Sequence, residues 1–164
     1  MNDEKGQLSG EYMLLVGSLI VVLMISIFMI ANENELNIAM AAAKSGADEG
    51  VASSSSAIYP KETFNEYDDM EGLKHPYSVS IVNVSYNSSG IDENYGKQKI
   101  QFKVYAKASA DYNKKELDSI GDRINYNLRK SVAMSFNTTD STNKLYNPVF
   151  SNNYVFTTAN VVWV

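Results

Sequence analysis

Nineteen consecutive residues without a charge, Met13 to Ala31 (MLLVGSLIVVLMISIFMIA), constrain this chain more than anything else in it. At 1.5 Å per residue such a run makes a helix of about 28 Å, close to the ~30 Å hydrocarbon core of a bilayer. A helix on the surface of a soluble core keeps one polar side for water, and this run has none. Polar residues resume at once with Asn32-Glu33-Asn34-Glu35, and Lys5 is the side-chain cation ahead of the run. That short positive bias puts the leading end in the cytoplasm and the remainder outside.

Two conventional readings compete for this segment. One is a cleaved secretory signal, because Ala39-Met40-Ala41 has the A-x-A form of a cleavage site. The apolar run exceeds the usual ~7–15 residues of such signals, and the A-x-A lies well beyond its end. The other is a plain retained membrane anchor.

Composition narrows the chemistry of the rest. Fourteen Lys+Arg stand against 19 Asp+Glu, a net charge of −5, so no basic excess exists to bind nucleic acid. There is no cysteine and a single histidine, His75. Disulfides, thiolate metal sites and two-histidine metal motifs are therefore excluded. No G-x-S-x-G and no phosphate-cradling glycine loop occurs, and no Ser/His/Asp spacing around His75 is worth defending. The expectation is a protein that is not an enzyme, with no cofactor. The acidic stretch 61–76, with Glu62, Glu66, Asp68, Asp69 and Glu71, lacks the spacing of a calcium loop and reads as a solvated loop with no metal.

The residues before the apolar run add a specific signal: Lys5-Gly6-Gln7-Leu8-Ser9-Gly10-Glu11-Tyr12. A short charged leader, a glycine, Q-x-S-x-E-Y and then an apolar helix resemble the class III signal of archaeal type IV pilins. Gly6 closes the leader, and Gln7, Ser9, Glu11 and Tyr12 occupy the motif positions. The resemblance covers roughly residues 1–35. It implies cleavage between Gly6 and Gln7 by a prepilin peptidase on the cytoplasmic side, with the apolar helix retained. Further implied partners are a pilus assembly ATPase, a membrane platform protein, the membrane itself before assembly, and other copies of the chain in a helical homopolymer. In such a filament the Glu11 carboxylate would pair with the new α-amine on Gln7 of an adjoining subunit. An intramolecular pairing with Gln7, four residues away, is the competing geometry. Cyclisation of an N-terminal glutamine would remove the charge altogether. An archaellin-like motility filament is a second reading, though archaellins usually carry a different leader pattern. A monomeric membrane-anchored binding protein is a third.

Helical character continues past the apolar run. Leu36, Met40, Ala43, Ala47 and Val51 recur at spacings of three and four, which predicts one half-buried face. Gly46 and Gly50 weaken that helix, and Ser53–Ser56 followed by Pro60 ends it. The expected organisation is a leader at 1–6, one long helix at 7–56 and an extracellular head at 57–164.

The head reads as α+β, with an antiparallel sheet and one further helix. Residues 79–86 alternate with Val82, Val84 and Tyr86 on one face, and 87–98 is rich in turn residues. Residues 99–107 alternate more clearly, with Ile100, Phe102, Val104 and Ala106 inward. The pair predicts a hairpin with a long loop. Asn113 with Glu116 resembles a capping box, and Leu117, Ile120, Ile124, Leu128 and Val132 form the face of a helix that packs on a sheet. Arg123, Arg129 and Lys130 fall on its other faces and read as solvated. Strands follow Pro148, with a hairpin near Thr158-Ala159-Asn160, and Val161-Val162-Trp163-Val164 is apolar enough to belong in the core. Three Asn-x-Ser/Thr sequons, at Asn83, Asn87 and Asn137, are about as many as this composition yields by chance. Archaeal pilins are often glycosylated, so the resemblance makes all three N-glycosylation candidates, with Asn87 and Asn137 expected in loops.

Overall fold

The computed structural model describes the backbone of residues 3–52, 78–109, 111–138 and 146–164, and side chains from residue 10 onward. The acidic stretch 61–76 and the Ser53–Ser56 run lie outside the described residues. The described elements are a helix α1 (Asp3–Ala52), strands β1 (Val79–Asp92) and β2 (Lys97–Ala108), a helix α2 (Lys114–Ser135), and strands β3 (Val149–Phe150), β4 (Tyr154–Thr158) and β5 (Val162–Trp163). The chain divides into two units, residues 1–37 and 38–164. The class is α+β, as the sequence leads one to expect.

The sheet is mixed rather than antiparallel. β1 and β2 form an antiparallel hairpin, and β3 and β4 are antiparallel, but β4 and β5 both run parallel to β2. The order is β1-β2-β4-β3, with β5 continuing along β2 beyond β4. A parallel neighbour needs a crossover, and α2 supplies it between β2 and β4. No hairpin forms at Thr158-Ala159-Asn160. The chain keeps its direction there, and Ala159 donates its N–H to Phe102 O at 2.8 Å, carrying the edge from β4 into β5.

The inner face of β2 is as expected: Ile100, Phe102, Val104 and Ala106 are all buried. Ile120, Ile124, Leu128 and Val132 of α2 are buried as well. Phe102 and Phe156 stack at 5.6 Å between ring centroids. The capping box is present, with Glu116 N–H donating to Asn113 Oδ1 at 3.0 Å and Asn113 N–H to Glu116 Oε2 at 2.9 Å. It satisfies two backbone donors that the helix itself cannot reach.

β1 departs from its expected reading. A register shift between Ile81 and Asn83 leaves Val82 outside the ladder and exposed, while Val84 pairs with Val104 and is buried. This bulge moves the inward phase to Ile81 and Val79 on its other side. The strand also runs to Asp92, so the hairpin closes through a tight turn and not a long loop. Asp92 O accepts from Gly96 N–H at 2.8 Å, its Oδ1 accepts from Asn94 N–H at 3.0 Å, and Gly96 takes φ 63°. This end of β1 is solvated on both faces, so its ladder leaves no alternation of apolar residues in the sequence.

Two further expectations are corrected. Arg123 is buried, and Arg129 reaches the sheet, donating from Nη1 to Thr158 Oγ1 at 2.5 Å. The terminal Val161-Val162-Trp163 is only half-buried, and Val164 is exposed, because β5 lies on an open edge of β2.

Within the second unit, α1 buries a narrow stripe of small residues: Ala39, Ala42, Ala43, Gly46, Ala47 and Gly50. Leu36, Met40 and Val51 flank it half-buried, so the face is rotated from the one expected from the larger side chains. The reason is close approach. A β-carbon on Gly46 would sit 2.6 Å from Asn127 O and 2.8 Å from Leu128 Cα, and one on Gly50 would sit 2.8 Å from Ile124 Cα. The two helices meet backbone to backbone, and the glycines are what permits it.

Candidate functional site

The first unit carries the site that the sequence singles out. The backbone of Gly6, Gln7 and Ser9 is helical, inside α1, so the Gly6–Gln7 bond falls in its second turn. Their side chains lie outside the described residues. Glu11 and Tyr12 follow on the same helix, and both are exposed.

From Met13 to Ile30 the apolar side chains are exposed on every side of the helix. Leu14 is 76% exposed, Ile20 51% and Phe28 67%, and none of the most apolar stretch is buried within the protein. Each such side chain left in water forgoes roughly 1.5–3 kcal/mol of hydrophobic stabilisation. The helix is long and apolar enough to cross a membrane. Its polar groups are compatible with that. Ser18 Oγ donates to Leu15 O at 2.8 Å and Ser26 Oγ to Val22 O at 2.9 Å, so neither hydroxyl needs water. Beta-carbons on Gly10 and Gly17 would meet nothing within 4 Å, which leaves two open notches on the surface. Small residues at such notches let helices approach one another closely in an apolar medium.

The three sequon asparagines all lie in the second unit and are exposed. Asn83 is in β1, opposite Tyr105, as expected. Asn87 is also in β1, opposite Gln101, and not in a loop. Asn137 follows α2 in a turn with φ 53°. The acceptor nitrogen of Asn87 is thus held on a paired strand, whereas Asn137 sits on irregular backbone.

Sequence reasoning overlooks one constellation. Asp118, Asp122 and Asn125 share a stripe of α2 and face the C-terminal strands across a groove. Burial pushes the Asp122 carboxyl above its ordinary range; Arg129 counters this and Asp118 reinforces it. The spacing of four and three is visible in the sequence, but nothing there reveals that residues 160–163 face it. Compared with known proteins, the chain matches no family model, no curated protein and no solved structure.

Proposed function

We propose that this chain is the structural subunit of an archaeal type IV pilus, cleaved after Gly6 by a prepilin peptidase and polymerised through its N-terminal helix into a surface filament for adhesion. The observation that carries the reading is the pairing of two features. Q-x-S-x-E-Y at Gln7–Tyr12 runs directly into a helix whose large apolar side chains are uncovered on all sides. A secreted enzyme discards such a segment, whereas a filament subunit keeps it, first in the membrane and then among the helices of its neighbours. The unit of residues 38–164, which holds the expected head at 57–164 and the end of α1, has its own buried core; in the filament the head supplies the outer surface.

In this reading Glu11 acts in assembly. Its carboxylate meets the α-amine of Gln7 on an adjoining subunit inside a low-dielectric bundle, where each charge requires the other. Glu11→Gln removes one partner. Insertion should persist, since losing a charge only eases it. Cleavage behind Gly6 should persist as well, giving an N-terminal Gln7 or its cyclised form by mass spectrometry. Filament yield in sheared cell-surface fractions should collapse, because breaking a buried pair costs about 3–5 kcal/mol at every subunit. Normal filaments from the cleaved variant would remove Glu11 from assembly, and a mature terminus near Ala42 would overturn the pilin reading itself.

A further inference from the structure

Lys99, Lys103 and Lys107 recur at every fourth residue of β2, on the face opposite the buried Ile100, Phe102 and Val104. At about 3.4 Å per residue the row is roughly 27 Å long. Lys103 and Lys107 are exposed and Lys99 is half-buried. Their neighbours across the ladder carry no charge: Ser85 lies opposite Lys103 and Ser80 opposite Lys107. From Val79 to Ile91, β1 has neither an acidic nor a basic side chain. Asp92, at the end of that strand, lies 3.9 Å from Lys99 Nζ; among the described residues no carboxylate pairs with Lys103 or Lys107.

Two ordinary uses of lysine in a sheet do not account for the row. Lysines guard exposed edges against further pairing, but β2 is interior, with β1 on one side and β4 and β5 on the other. Lysines also pair with carboxylates across a ladder, and here the opposite positions are uncharged. In a chain of net charge −5, three cations with a single carboxylate at one end make a local reversal of sign. The charge of the whole chain repels a polyanion, so capture of one falls to this face.

The groups between the lysines decide which polyanion fits. Gln101 lies opposite Asn87, and Tyr105 opposite Asn83. Their amides supply donors and acceptors in one flat row, suited to the hydroxyls of a sugar. Lys103 Nζ sits 5.3 Å from the centroid of the Tyr105 ring, so the one ring in the row is already engaged and not open to stack a nucleic-acid base. None of these paired positions carries an aliphatic side chain to enter a bilayer. We propose that this face binds an acidic polysaccharide, a linear polyuronate whose carboxylates meet Lys99, Lys103 and Lys107 while its hydroxyls meet Asn83, Asn87 and Gln101. One head holds such a chain weakly, and heads repeated along a polymer hold it by avidity. The contact itself needs neither cleavage nor polymerisation, so its failure would leave the filament reading standing. Asn83 and Asn87 are sequon positions, and a glycan on either would cover the face.

The full chain, free of glycans and in neutral detergent micelles, is titrated into fluorescein-labelled alginate and followed by anisotropy, with labelled dextran as the uncharged reference. Saturable binding to alginate and none to dextran is expected, weakening roughly tenfold between ~50 and ~200 mM salt. Lys103→Gln combined with Lys107→Gln should weaken binding at least ~10-fold while keeping the parent's unfolding midpoint. Lys44→Gln combined with Lys114→Gln makes the same change in net charge at exposed positions on the helices, and should alter binding less than ~2-fold. Lys103→Arg combined with Lys107→Arg should bind as the parent does. No binding of alginate at low salt, equal losses in the two glutamine pairs, equal binding of dextran, or preference for duplex DNA or anionic vesicles over alginate at matched charge would each overturn the proposal.

Discussion

Helix α1 contains two apolar surfaces with opposite surroundings. Between Met13 and Ile30 large side chains occupy nearly every position and stand uncovered; between Ala39 and Gly50 small ones form a single stripe that is buried. The glycines make the contrast sharpest. A β-carbon at Gly10 or Gly17 would enter open space, while at Gly46 or Gly50 it would strike the backbone of α2. Apolar character by itself therefore does not decide how a helix is covered. Large residues all round need a medium, and small residues in a line need one partner at close range.

Substitutions that separate the two regions test this contrast. The largest expected difference comes from truncating bulk. Leu128→Ala, beneath the Gly46 contact, should lower head stability by about 2–5 kcal/mol, whereas Ile25→Ala should leave head unfolding unchanged. Denaturant titration of the full chain in detergent, followed by Trp163 fluorescence, measures both. A destabilised head in Ile25→Ala would mean that the exposed region packs on it after all.

Adding bulk comes next. Gly46→Ala should cost roughly 1–3 kcal/mol because its methyl meets immovable backbone, while Gly17→Ala should be silent in the same titration. Equal effects at the two sites would erase the distinction between filled and open notches. Asn113→Ala should then cost about 1 kcal/mol by removing the cap of the helix that receives α1. Midpoint shifts without a change in slope are the expected signature.

The smallest effect concerns Asp122. Its folded carboxyl titrates above the unfolded one, so the native state holds its proton more tightly. The stability linked to that proton is present below the unfolded carboxylate range and is lost as pH rises through the folded value. At neutral pH, Asp122→Asn should thus be slightly more stable than the parent, and the advantage should vanish on acidification. An advantage that persisted in acid would assign the effect to packing and not to charge.

Much of the scaffold is legible in the sequence because it follows from one residue's relation to near neighbours. The uncharged run, the Asn113–Glu116 cap, the β2 alternation and the Ile120–Ile124–Leu128–Val132 face are all of this kind. What escapes reading depends on long-range placement. The parallel run of β4 and β5 follows from the α2 crossover and not from their residues. The far end of β1 alternates in geometry without alternating in chemistry, since both its faces are wet. Gly46 and Gly50 look like helix weaknesses until Asn127, Leu128 and Ile124 are brought beside them. The candidate site divides in the same way. The Gln7–Tyr12 motif is a local string and can be read directly, while the groove of Asp118, Asp122 and Asn125 exists only once residues 160–163 cross in front of it.

The contact at Gly46 and Gly50 also has a mechanical meaning. Where helices touch through long side chains, a pull along one of them is first absorbed by rotamer changes. Here main chain abuts main chain, so tension carried along α1 loads α2 with almost no slack. From α2 the strain passes through Asn125 to Ala159 O and through Arg129 to Thr158 Oγ1, into the strands flanking β2.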